Sequence, residues 1–178
     1  MLSERTFPAH LKGGSAVDPA ALEETARRYG DTIYRVALQY TQNTADAEDM
    51  LQEVLLERFR ARTPFDTPEH ERHWLLRVTI NKCKNLLRAR KRRRTVPLEE
   101  AMELQAPAEP ESRALYEAVC ALPREQRLSV DLYYYEGYPT AEIAALLGAR
   151  EATVRTWLRR GRMKLKQTLK EAWDNDEL

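Results

Sequence analysis

The chain has 178 residues, 43% of them hydrophobic and 32% charged, with 29 lysines and arginines against 28 acids and only two cysteines. That length accommodates one medium domain or two small ones, and the composition suits a soluble, mostly helical protein, for which two helical domains are expected. No apolar run approaches the ~20 residues that cross a bilayer, and residues 1–18 lack the apolar centre of a signal peptide, so a cytoplasmic chain without membrane insertion is expected.

Residues 1–18, with Gly13, Gly14 and Ser15, carry no periodic pattern and read as a mobile tail. Asp18 and Pro19 have the cap-then-proline form of a helix start, and Leu22, Ala26 and Tyr29 share one face up to Gly30. A second helix is predicted through Ile33, Ala37 and Tyr40. Asn43 and Thr44 then offer a cap for a helix over 45–61, where Ala47, Met50, Val54, Leu55 and Phe59 are apolar at helical spacing. Its other face is acidic: Glu48, Asp49, Gln52 and Glu53. Residues 63–68 form a loop by composition, and Thr67-Pro68 starts a long helix to about Arg93. Leu76, Ile80, Cys83 and Leu87 give that helix a buried stripe, while Asn81, Lys84, Asn85, Arg88 and Arg92 give it a stripe of amides and cations. Amides can hold bases and cations can hold phosphates; between Asn81 and Arg94 there is no acid.

Residues 95–112 hold three prolines and five glutamates and read as a linker between a domain over 19–94 and another over 113–172. Helices are predicted over 111–121 and 124–136, with a break at Leu122-Pro123, Leu128 and Leu132 inward and Gly137 as the stop. The most informative stretch follows. Ile143, Leu146 and Leu147 give a short helix one apolar face, Gly148 permits the positive φ that ends it, and Val154 and Leu158 anchor a second helix. This is helix-turn-helix spacing, and the second helix carries Arg155, Arg159, Arg160 and Arg162 away from its anchors. Leu165 and Leu169 continue that helix, and residues 173–178 are an acidic tail. Cys83 and Cys120, far apart in sequence and set in apolar helical patterns, read as buried thiols of a reducing compartment and suggest no metal site.

Charge is segregated along the chain. Residues 20–60 carry 5 bases and 8 acids, a net −3, residues 61–94 carry 11 bases and 3 acids, a net +8, and residues 148–172 return to +6 from 8 bases and 2 acids. Two basic regions separated by an acidic connector point to two separate nucleic-acid contacts.

In their order and separation these motifs resemble bacterial RNA polymerase sigma factors of the sigma-70 family, in the two-domain extracytoplasmic-function (ECF) type. The resemblance rests on 46–54 (DAEDMLQEV), on 74–88 (WLLRVTINKCKNLLR), and on Leu122-Pro123, Arg127, Glu136-Gly137, Glu142-Ile143-Ala144, Gly148 and Thr153-Val154, and covers roughly residues 20–170. It implies an all-α fold of two small helical domains, a region 2 bundle and a region 4 helix-turn-helix. By the same resemblance Asp46, Glu48, Asp49, Gln52 and Glu53 dock on the beta-prime clamp helices of core polymerase, with the beta flap a further contact. Trp74, Asn81, Lys84, Asn85, Arg88 and Arg92 would hold the melted minus-10 element, with the loop from Thr63 to His73 forming a pocket for an unstacked base. Thr140, Arg150, Glu151, Thr153, Arg155, Thr156, Arg159 and Arg160 would meet the minus-35 element. The resemblance also implies duplex and single-stranded promoter DNA as partners, an anti-sigma partner, no enzymatic activity and no cofactor.

Two residues depart from the family pattern. Trp157 stands where a basic or small polar residue is usual and has three open roles: reading a thymine methyl, packing on the preceding helix, or enlarging the core, with packing preferred. Gly161 weakens its helix by up to ~1 kcal/mol relative to alanine. Promoter elements about 17 base pairs apart lie roughly 58 Å apart on B-form DNA. A flexible linker of this length averages only ~24 Å, so the free chain is expected to be a poor promoter binder. Two rivals remain: a helix-turn-helix regulator acting without polymerase, which leaves the 81–92 stripe unused, and a metal enzyme built on His70 and His73, which lacks any further ligand pattern.

Overall fold

The computed structural model describes residues 19–61, 64–93 and 110–176. The expected tail over 1–18 and most of the acidic connector over 95–112 lie outside them. Every element described is helical: α1 (Pro19–Thr41), α2 (Thr44–Ala61), α3 (Pro68–Arg93), α4 (Pro110–Cys120), α5 (Arg124–Val130) running into a π-helical turn (Asp131–Tyr135), α6 (Thr140–Leu147) and α7 (Glu151–Asp176).

Local chemistry explains most of the boundaries. Asn43 Oδ1 accepts the Asp46 amide at 2.9 Å and Thr67 Oγ1 accepts the His70 amide at 3.1 Å, so each caps the helix that follows. Gly148 takes φ 70° and closes α6, as its place in the sequence predicts, and Gly137 takes φ 74° after the π-turn. The expected break at Gly30 is absent. Tyr29, Ile33, Val36, Ala37 and Tyr40 form one continuous buried face, and a single glycine costs a helix only ~1 kcal/mol when nothing demands a left-handed residue there. That demand falls on Gln42 instead, at φ 53°.

The helix over 124–136 is likewise not uniform. Between Asp131 and Tyr135 it widens by one residue, and the Glu136 amide reaches the Asp131 carbonyl at 3.1 Å. Asp131 and Leu132 turn inward while Tyr133, Tyr134 and Tyr135 turn out.

Helices α1–α3 form one group and α4–α7 another, and the two share a core. Val36, Met50, Ile80 and Cys83 from the first group pack in one buried cluster with Leu122, Leu128, Leu132, Ile143, Val154 and Leu158 from the second. A smaller cluster of Tyr29, Ile33, Val54 and Leu75 belongs to the first group alone. Polar contacts line the seam. Arg127, 3% exposed, donates to the carbonyls of Gln39 (2.8 Å), Cys120 (2.9 Å) and Leu122 (2.8 Å), satisfying helix-end acceptors from both groups. Gln42 Nε2 donates to the same Cys120 carbonyl at 2.8 Å.

Candidate nucleic-acid interface

The exposed face of α2 holds Glu48, Asp49, Gln52 and Glu53, and at the next helical step Leu56, 47% exposed. Leu56 completes an i, i+3, i+4, i+7 row with Asp49, Gln52 and Glu53 that the sequence reading missed by assigning only Leu55 to the apolar side. Asp46 is not on that face. It is buried, and both carboxylate oxygens accept from the Arg90 guanidinium, so it ties α2 to the end of α3. Lys82 links the same two helices, donating to Glu53 at 3.2 Å and Glu57 at 2.8 Å; the bond to Glu57, more than any other influence, raises its pKa.

Along α3, one side packs inward through Leu75, Leu76, Thr79, Ile80 and Cys83, with Leu87 half-buried. Burial, reinforced by the Asp46 charge, pushes the Cys83 thiol up to about 12 and leaves it an inert core group. The outer side carries a depression of about 260 Å³ lined by His70, His73, Trp74, Arg77, Val78 and Asn81. His70 and His73, inside the stretch from Thr63 to His73 expected to shape a base pocket, share this depression with residues further along the helix; Thr67 caps that helix at Pro68, as the sequence predicts, and the walls lie on one face of α3. Trp74 is braced by Phe65, with ring centroids 5.6 Å apart. Beyond it Asn85, Arg88, Lys91 and Arg92 line a shallow open groove. Lys84 departs from this set: it is half-buried, donates to the Leu147 carbonyl at 3.0 Å, and desolvation lowers its pKa.

In the helix-turn-helix, Ile143, Ala144, Leu146, Val154 and Leu158 are buried as the spacing predicts, and Arg150, Arg155, Arg159 and Arg160 are exposed. Thr153 and Thr156 are half-buried. Glu151 joins the starts of α6 and α7: its Oε1 accepts from Thr140 at 2.6 Å and from Arg155 at 2.6 Å, and these bonds, Thr140 first, hold its carboxyl below the usual range. Trp157 is half-buried against the shared core. Gly161 is buried at the α5–α7 crossing, where a Cβ would meet Val130 Cγ2 at 3.1 Å.

Comparison with known proteins fits this geometry. The family described as Sigma-70 region 2 matches residues 25–93 and that described as Sigma-70, region 4 matches residues 112–165. The ECF RNA polymerase sigma factor SigM of Mycobacterium tuberculosis is 32% identical over 168 residues, covering 93% of this chain and 86% of its own. SigE of Mycolicibacterium smegmatis, also an ECF RNA polymerase sigma factor, is 33% identical over 185 residues, covering 94% and 72%. Among solved structures, the sigma factor RpoE of Bartonella quintana, in complex with the anti-sigma factor NepR, aligns with TM-score 0.63 at 20% identity over 84% of this chain and 97% of that one. CnrH, in complex with the cytosolic domain of CnrY, aligns at 0.59 and 24% identity over 86% and 90%. The chain therefore belongs to the sigma-70 family, and within it to the ECF RNA polymerase sigma factors.

Proposed function

We propose that the chain recruits core RNA polymerase to promoters through three separate faces. The exposed row of Glu48, Asp49, Gln52, Glu53 and Leu56 on α2 docks on a basic, partly apolar surface of the core enzyme, the clamp helices of the beta-prime subunit. The outer side of α3 holds the melted minus-10 strand. Arg150, Thr153, Arg155, Thr156, Arg159 and Arg160 of the helix-turn-helix meet duplex DNA at the minus-35 element. The domains responsible are residues 19–94 and 113–172, and an anti-sigma factor belongs among the partners.

The observation that carries this reading is the combination on α3: an aromatic-walled depression at Trp74 and Asn81, large enough for one base, continuing into an acid-free groove of Asn85, Arg88, Lys91 and Arg92. A base drawn from the stack loses a few kcal/mol, and an aromatic wall with a polar amide beside it supplies a replacement. A polymerase-independent duplex binder has no use for that combination. Asp46 leaves the docking set, because its carboxylate serves Arg90.

Transcription with core polymerase on duplex and premelted templates tests the proposal. Asn81→Ala should reduce initiation about tenfold on duplex DNA, the worth of one lost base contact, and recover on the premelted template. An equal loss on both templates, or initiation that does not depend on this chain, would refute it.

A further inference from the structure

We propose that Glu151 is a positioning residue for promoter recognition: anchored by Thr140, it holds the Arg155 guanidinium in one orientation and so sharpens the choice of base pair that Arg155 reads. The inference rests on the minus-35 role of Arg155 above and takes Glu151 and Thr140 out of the set that touches DNA.

Thr140 opens α6 and Glu151 opens α7, so the two stand on opposite sides of the turn that makes the helix-turn-helix. The Thr140 hydroxyl donates to Glu151 Oε1 at 2.6 Å, and Arg155 Nη2 donates to the same oxygen at 2.6 Å. Arg155 lies one helical turn beyond Glu151, and an acid four residues ahead of a base shares its face of the helix. The two bonds, that from Thr140 first, hold the carboxyl below its usual range, so it stays anionic and fixed in place. Of the four arginines assigned to the minus-35 element, Arg150, Arg159 and Arg160 have no side-chain hydrogen bond or ion pair among the described residues, whereas Arg155 has both.

Stability does not account for this arrangement. Glu136, another acid with two partners, is 6% exposed and faces Arg35 of α1 and Arg72 of α3, where it joins the two helix groups. The Arg155 and Glu151 side chains are 67% and 39% exposed, and an i, i+4 pair in that much water adds little to folding. What such a pair changes is the freedom of the arginine. A free arginine gives up its rotamers on gripping DNA, at a cost of about threefold to tenfold in affinity, and one already held has given them up beforehand. The guanidinium is a planar fork of several donors, so a bond to Glu151 leaves others for the O6 and N7 acceptors of a guanine. The same carboxylate works against the wrong ligand. It offsets the Arg155 charge and repels phosphates, so sequence-independent binding gains less from Arg155.

Polymerase holoenzyme reconstituted with the full chain selects from duplexes randomised across the upstream element. The chains compared are the parent, Arg155→Ala, Glu151→Ala, Thr140→Val and Arg155→Ala/Glu151→Ala. The position at which Arg155→Ala flattens base preference is the one Arg155 reads. There Glu151→Ala should cut discrimination about fivefold, and Thr140→Val should cut it in the same direction, while preferences at other positions stay intact. A non-promoter duplex should bind Glu151→Ala more tightly, with a salt slope steeper by about 1 as Arg155 becomes free to take a phosphate. In the Arg155→Ala background the Glu151 substitution should alter discrimination no further. An acid that only supported the fold would lower every preference together with the melting temperature, and would act equally in both backgrounds; that pattern overturns the proposal. If Arg155→Ala relaxes a position and Glu151→Ala leaves it sharp, the positioning role alone fails. If Arg155→Ala changes no position, the minus-35 reading of Arg155 fails and the positioning role falls with it.

Discussion

Asp131 lies 3.5 Å from Arg35, yet its carboxyl is pushed up to about 6, because burial penalises the charge more than the guanidinium rewards it. Its second oxygen is buried without a hydrogen-bond partner among the described residues. The folded value lies above the ~3.9 of an unfolded aspartate, so the packed form holds the proton more tightly. The stability this provides is complete below about pH 4 and is lost as pH rises through 6, on the order of 1–3 kcal/mol. Asp131→Asn, which mimics the protonated form beside Arg35, Arg72 and Glu136, should flatten the melting temperature between pH 4 and 6 and raise it at pH 7.5. A lower melting point than the parent at pH 7.5 would contradict this. Asp46 poses the opposite case, a buried acid fully matched by Arg90. Asp46→Ala should cost about 1–2 kcal/mol in thermal unfolding, while Asp49→Ala, on the exposed face, should leave stability unchanged. In the sequence these two acids look alike, since both sit in one acidic run. Only the position of Arg90, forty-four residues on, separates the structural one from the one available for docking.

At the scale of the element, what was legible was what the chain decides locally. Asn43, Thr67 and Gly148 act on backbone groups within three or four residues, so their positions alone predict two helix starts and one stop. Gly161 was half legible. Its cost to α7 follows from composition, but its reason is the α5–α7 crossing, where Val130 Cγ2 would sit 3.1 Å from a new Cβ. Val130 is β-branched and stiff in its helix, so it yields little. Gly161→Leu should therefore lose about 2–3 kcal/mol by overpacking, whereas in Gly161→Ala a ~1 kcal/mol gain in helix propensity offsets the squeeze and leaves stability near neutral. Denaturant midpoints of the two variants check this; equal midpoints would show that the crossing is looser than the distance implies.

For the whole molecule, each helix's apolar stripe could be read from spacing, but not which stripe meets which. Two separate domains and one shared core give the same pattern of inward residues. The structure shows the two domains packed together, with Ile80 and Cys83 of the first in the same cluster as Leu132 and Ile143 of the second. A shared core predicts a single cooperative transition in calorimetry at pH 5, and Arg72→Ala/Glu136→Gln should broaden or split it into two. Two transitions in the parent chain would argue that the groups fold independently. The π-turn at Asp131–Tyr135 gives this packing its angular phase. An α-helix advances ~100° per residue, so the single surplus residue sets how everything after it is rotated about the α5 axis. Deleting one of Tyr133, Tyr134 or Tyr135 would leave Leu128 seated but swing Glu136 away from Arg35 and Arg72. How the two groups pack on each other is thus recorded as a count of residues, and an insertion or deletion there would re-angle α6 and α7 against α1–α3 while every DNA-reading side chain stayed the same.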